Sequence, residues 1–362
     1  MKAIYLSLLS VLIAFSANAQ LISPNNGALN VMDDNIRGYM NDNNIPGGLI
    51  AVASKGEIVE LRTYGEANVE LSVPVKANTR FEIGSISKQF VAVAALQLVE
   101  EGKLSLDDKI HKHVPSLPGD WAGVTVHQLL THTSGIPDYE EIYTYDVYRL
   151  RLTPQEVIKI AQARPVDFPP GQGYYYSNTG YFILSMIVER IDQMPLGEIL
   201  KTRIFDPVGM ASTRMADPEA IIKNRAEGYW IDKRGELINR NATETSSTLG
   251  AGGLLSTAGD LAKWDAALYG TEILSTKSKE TMWNSVTLPD GTDTEYALGW
   301  MVRPDRGLKH VGHSGQVAGF VAYYGRYIDQ ETAVIVFLNR YRVSSRVVKD
   351  FVLDTFMPST KQ

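Results

Sequence analysis

The 362-residue chain contains no cysteine. That excludes disulfides, thiolate nucleophiles, cysteine metal ligands and a lipid-bearing cysteine at a cleavage site. It has no dense basic stretch, and its formal net charge is −6. The long-range field therefore repels a phosphate backbone, and nucleic acid is not expected as a partner. Histidine is scarce at six residues. His111 and His113 lie in a polar stretch, and the spacing of five from His127 to His132 misses the i, i+4 geometry of a zinc-binding helix. These histidines read as helix-surface or loop residues, and no metal site is expected. No Gly-rich phosphate motif follows a strand, so no cofactor is expected either. Internal repeats and low-complexity segments are also missing.

The chain has one long apolar run, at its start. Residues 1–19, MKAIYLSLLSVLIAFSANA, combine Lys2, an apolar stretch near Ile4 to Phe15, and the small-x-small ending Ala17-Asn18-Ala19. This is the pattern of a secretory signal peptide cut before Gln20. The run is shorter than the roughly 20 residues a membrane span needs. Loss of Lys2 would leave a mature charge of −6 − 1 = −7. The expectation is a periplasmic or secreted monomer with no membrane span after cleavage, large enough to be stable without disulfides.

From Gly47 to Asn68, two β-rich runs flank Lys55-Gly56 and read as a hairpin. The run "SISKQFVAVAALQLVEEG", 85 to 102, sets Phe90, Val91, Ala94 and Leu98 on one helical face and ends on a glycine. From about 105 to 225 the chain is a series of helical fragments punctuated by Pro and Gly. Sheet signals return in "QVAGFVAYYGRYID" and "ETAVIVFLN", read as a second hairpin around Asp329-Gln330, and "RVVKDFVLDTF" closes the chain as a helix. Strands at both ends with helices between predict an α+β fold: an antiparallel β-sheet flanked by helices, with an inserted all-helical lobe. Residues 20–362 would form one catalytic domain, with its chemistry in the cleft between the lobes.

Three segments carry candidate chemistry. In "FEIGSISKQF", Ser85 and Lys88 stand three apart at a helix start, so hydroxyl and amine share a face. A lysine can take a serine proton if burial depresses its pKa, and the helix N-terminus favours the developing anion. The plainer alternative is a capping serine beside a solvated lysine. In "GQGYYYSNTGY", Tyr176 and Asn178 can face the same side of an extended loop; packing of the tyrosine cluster, with Asn178 capping the next helix, is the alternative. In "HVGHSGQVAGF", His313-Ser314-Gly315 opens a strand among glycines that permit close approach; the alternative is a satisfied core histidine.

In that order, Ser85-x-x-Lys88, Tyr176-x-Asn178 and His313-Ser314-Gly315 resemble the motifs of the serine β-lactamase and penicillin-binding-protein superfamily, in its class C-like branch. "LLTHTSGIPDY" (129 to 139), "GGLLSTAGDLAKW" (252 to 264) and "LGW" (298 to 300) are of a kind common there. The resemblance implies a nucleophilic Ser85, with Lys88 as its proton acceptor or as the cation that keeps Tyr176 deprotonated. Tyr176 would relay protons, Asn178 would bind the substrate amide and Lys88, and the N–H groups of Ser85 and Gln316 would form an oxyanion hole. His313, Ser314 and Gly315 would line the substrate site. Dedicated β-lactamases of this branch carry lysine where this chain has His313, so weaker carboxylate recognition is expected.

The resemblance implies an exported serine hydrolase acting through an acyl-enzyme on a D-alanyl peptide, a β-lactam or another small-molecule substrate, cell-wall derived ones included. A slow-turnover penicillin-binding or receptor-like protein and a small-ester carboxylesterase are the alternatives. An α/β-hydrolase reading of "GHSGQ" fails: Gln316 stands where the elbow needs its second glycine, and no histidine follows Ser314.

Overall fold

Strand-forming segments from both ends of the chain meet in one antiparallel sheet. The computed structural model describes residues 20–143, 145–240 and 243–358, so the expected signal peptide lies outside the described residues. The seven strands run, from one edge to the other, Val73–Pro74, Glu57–Asn68, Gly47–Ser54, Thr332–Leu338, Phe320–Tyr327, His310–Val317 and Met301–Val302. Gly47–Ser54 pairs on one side with its hairpin partner and on the other with Thr332–Leu338, which brings the two ends of the chain together at the centre of the sheet.

The first hairpin turns at Lys55 and Gly56, both left-handed at φ +52° and +82°, as a tight two-residue turn between twisted strands requires. The late sheet segment differs from expectation. "QVAGFVAYYGRYID" is not one strand, because the chain reverses at Ala318-Gly319, with Gly319 at φ +80°, and Val317 faces Phe320 across the turn. A further reversal through Ile328–Gln330 and the left-handed Glu331 leads into the last strand.

The sheet is covered on both faces, which is why its central strands read as continuous apolar runs rather than alternating ones. Leu49, Ala51, Ile335 and Phe337 point into the main core with the central helix, Ser87–Glu100. Ile50, Val52, Val334 and Val336 point the other way, onto the helices Asn26–Asp42 and Ser345–Phe356. The sequence shows one apolar face on the central helix, but the helix is buried on nearly every side from Ser87 to Leu96, Lys88 and Gln89 included. Its small alanines admit neighbours all round. It begins as a tight 3₁₀ turn, Gly84–Ile86, and gives way to Gly102 at φ +70°.

Helices dominate between 105 and 225, and two of them start on reciprocal capping boxes, Thr125 with Gln128 and Thr153 with Glu156. The lobe is not wholly helical. Arg214–Met215 pairs with Leu254–Ser256, which also pairs with Phe81–Glu82, so a three-stranded ribbon ties this segment to the approach of the central helix. The cleft opens where that helix begins, against the strand His310–Val317.

Candidate active site

The strand His310–Val317 and the turn carrying Ser85 approach too closely for side chains. A Cβ on Gly315 would lie 1.9 Å from the Ile83 carbonyl oxygen and 3.2 Å from the Ser85 nitrogen; one on Gly84, itself at φ +51°, would lie 2.7 Å from the Gln316 nitrogen. Two glycines therefore set the distance between the main-chain nitrogens of Ser85 and Gln316. The cleft at this junction has a volume of about 580 Å³. Ser85, Tyr176, Asn178, His313, Ser314 and Gln316 all line it.

Lys88 is fully buried, not solvated, and its Nζ has three partners: Ser85 Oγ at 3.0 Å, Asn178 Oδ1 at 2.8 Å and the Ala251 carbonyl oxygen at 2.7 Å. Two of these can only accept, whereas a hydroxyl both gives and accepts. A neutral amine thus satisfies all three contacts, donating its two hydrogens to Asn178 and Ala251 and turning its lone pair to the Ser85 proton. Burial depresses the Lys88 pKa to about 7, against the opposing pull of Asp138 and Glu140.

The Asn178 amide has one allowed orientation. Two carboxylates, which only accept, face its amino group, which donates to Asp138 at 3.0 Å and to Glu140 at 2.7 Å, so the oxygen faces Lys88 and accepts from it. Both amide hydrogens are thereby committed, so a substrate contact from this amide requires one carboxylate to let go. Asn178 opens the helix Asn178–Asp192, and its main-chain N–H also donates to Asp138. Burial raises the Asp138 pKa and lifts that of Glu140 to about 7.

Tyr176 places its ring 4.8 Å from Lys88 Nζ. Burial pushes its phenol well above the ordinary pKa, with neighbouring Ser85 acting the other way. Its hydroxyl makes no hydrogen bond of ordinary geometry. The resting phenol is therefore protonated. His313 is buried, with Nδ1 at 2.5 Å from the Ser314 carbonyl oxygen and Nε2 at 3.0 Å from the Tyr296 hydroxyl. Burial, with Lys88 nearby, lowers its pKa to about 3. It is a neutral imidazole that donates through Nδ1 and accepts through Nε2.

Several groups here escaped the sequence reading. Ala251 contributes only a carbonyl, and Asp138 and Glu140 sit in or beside the quoted "LLTHTSGIPDY" segment. His132 is a loop residue, as expected, but a buried one. It is left-handed at φ +58°, its ring is tilted against that of Tyr176 with centroids 4.2 Å apart, and it accepts the Ser177 N–H at Nδ1. It positions the Tyr176 segment. Among the described residues no group of three or more His, Cys, Asp or Glu is arranged to hold a metal ion, and no helix is long and apolar enough to cross a membrane.

An antiparallel sheet split between the chain ends, with a helical lobe and a cleft at the start of the central helix, is the architecture of serine β-lactamases and penicillin-binding proteins. The chain belongs to the Beta-lactamase family, whose model matches residues 32–355. It is 33% identical over 311 residues to penicillin-binding protein 4* of Bacillus subtilis, covering 81% of this chain and 68% of that protein. Among solved structures, the octameric penicillin-binding protein homologue from Pyrococcus abyssi is 33% identical with a TM-score of 0.80, over 90% of this chain and 76% of that one. The D-amino acid amidase from Ochrobactrum anthropi SV3, solved with L-phenylalanine, is 26% identical with a TM-score of 0.78, over 91% and 98% of the two chains. The octameric relative lends no support to the expected monomer.

Proposed function

We propose that this protein is an exported serine hydrolase that cleaves an amide, β-lactam or ester bond through an acyl-enzyme on Ser85. The observation that carries the reading is the fully buried Lys88 amine, 3.0 Å from Ser85 Oγ, with its two other partners able only to accept. Ser85 Oγ attacks the carbonyl carbon as its proton passes to Lys88. The oxyanion is held by the main-chain N–H groups of Ser85 and Gln316. Collapse breaks the carbonyl–leaving-group bond. The leaving atom takes the Tyr176 phenolic proton, which Lys88 replaces. Water, deprotonated over the same route, then attacks the ester and frees Ser85.

A D-amino-acyl amide or a peptide ending in D-alanine is the substrate class we favour, on the likeness to the amidase and to penicillin-binding proteins. The neutral His313 offers no cation to a substrate carboxylate, which supports modest β-lactam turnover. The test is the initial rate of the chain from Gln20, beside its Ser85→Ala variant, on a chromogenic cephalosporin, p-nitrophenyl acetate and a D-alanyl-D-alanine peptide. Turnover of at least one substrate by the parent and of none by the variant is expected. Equal rates, or two inert proteins, would overturn the proposal.

A further inference from the structure

The cleft has two ends, distinguished by what stands there. Tyr176, which must reach the leaving atom in the proposed reaction, lies beside His313 and Tyr296, with ring centroids 6.0 and 6.1 Å away. On the Asn178 side, Glu140 accepts from the Asn178 amide and Tyr148 donates to Glu140, and Thr248 lines the same cleft. With the leaving group at the first end, the acyl half of the substrate occupies the second.

The side-chain donors at the acyl end are spent. Both Asn178 amide hydrogens go to Asp138 and Glu140, the Tyr148 hydroxyl donates to Glu140 Oε2 at 2.6 Å, and the Thr248 hydroxyl donates to the Glu244 carbonyl oxygen at 3.1 Å. What these side chains still offer is acceptor capacity, and Glu140, a half-buried carboxylate in the cleft wall, holds most of it. An acyl group that brings a carbonyl meets no free side-chain donor there. One that brings N–H groups meets an acceptor.

The charge balance points the same way. Lys88 must be neutral to take the Ser85 proton, and in that form it no longer offsets Asp138 and Glu140. Neighbouring Glu141 has its own cation, Arg164, at 3.2 Å. A positive group on the substrate would supply the missing charge and, as a like charge near Lys88, favour the neutral amine that the reaction needs.

We infer that Glu140 is a specificity-determining residue that binds a free ammonium on the acyl half of the substrate, so that aminoacyl amides are preferred over their N-acylated counterparts. This rests on the proposed acylation of Ser85. Three substrates separate the two ideas: D-alanine p-nitroanilide, N-acetyl-D-alanine p-nitroanilide, and p-nitrophenyl acetate, which has no α-nitrogen. The parent protein should show a kcat/KM ratio of free amine to N-acetyl substrate of at least about tenfold, carried mainly by KM, as for sites built to hydrogen-bond a substrate group. Glu140→Gln should bring that ratio to near one, and Glu140→Asp should keep part of it. Ser85-dependent hydrolysis of p-nitrophenyl acetate with a parent ratio of one or below refutes the role of Glu140 and leaves the hydrolase reading intact. So does a Glu140→Gln variant that slows both anilides equally, since a merely structural role would do that. Absence of Ser85-dependent turnover on all three substrates overturns both.

Discussion

The state of Lys88 decides whether Ser85 can be a nucleophile at neutral pH, and it can be tested by replacing the amine with a group that cannot be deprotonated. An ordinary lysine, with a pKa near 10.5, is neutral in about one molecule in 3,000 at pH 7. With the pKa brought down to about 7, about half the molecules carry the free base. Burial therefore multiplies the competent population by about three orders of magnitude, and Lys88→Arg, whose guanidinium stays charged in proteins, should lose at least that factor in kcat/KM. The sign for the parent protein follows. The base form is the deprotonated one, so kcat/KM on p-nitrophenyl acetate should rise with pH through about 7 and level off above it. Asp138 and Glu140 both hold Lys88 protonated, so removing the charge of either moves that rise to lower pH. The assay is a pH series from 5 to 9 on the parent, with the arginine variant checked by circular dichroism for folding. A flat parent profile, or a folded Lys88→Arg variant with more than about 1% of parental kcat/KM, would refute the argument that a neutral Lys88 is the base.

Two further outcomes follow from the strand His310–Val317. His313→Lys places a cation where the neutral imidazole stands, and should lower KM for carboxylate-bearing substrates by about three- to tenfold, the worth of one partly screened ion pair; an unchanged or higher KM in steady-state assays on a penicillin and its methyl ester would sink this expectation. Gly315→Ala puts a methyl group 1.9 Å from the Ile83 carbonyl oxygen, so the strand must move away from Ser85. Its kcat should fall by about a hundredfold, the loss typical of one oxyanion donor, while thermal unfolding shows a folded protein; a kcat within threefold of the parent would show that the spacing of Ser85 and Gln316 does not matter.

The sequence was most legible where a local pattern has one physical solution. Lys55-Gly56 between two β-rich runs, and strands at both ends around a helical middle, led to the hairpin and the shared sheet that the structure contains. Ser85 and Lys88 could be paired because three residues on a helix bring two side chains to one face. The reading fell short where partners are distant in sequence or contribute no distinctive side chain. The Ala318-Gly319 reversal has only small residues to mark it, and its apolar flanks read through as one strand. The third partner of Lys88 is the carbonyl of Ala251, and an acceptor of that kind has no signature among residue types.

Asp138 and Glu140 were in plain view, but a carboxylate in a loop reads as surface until the amide that holds it is placed. That amide is 38 residues from Glu140 and 40 from Asp138 along the chain. The consequence is chemical as well as topological. A motif identifies Asn178 as a residue type suited to hydrogen-bonding a substrate, whereas the bond inventory shows that its oxygen is used by Lys88 and its hydrogens by two carboxylates. Motif residues define which reaction the cleft can run. The carboxylates that occupy the Asn178 donors decide what the acyl end has left to offer, and substrate preference is therefore to be sought in Glu140 rather than in the three motifs.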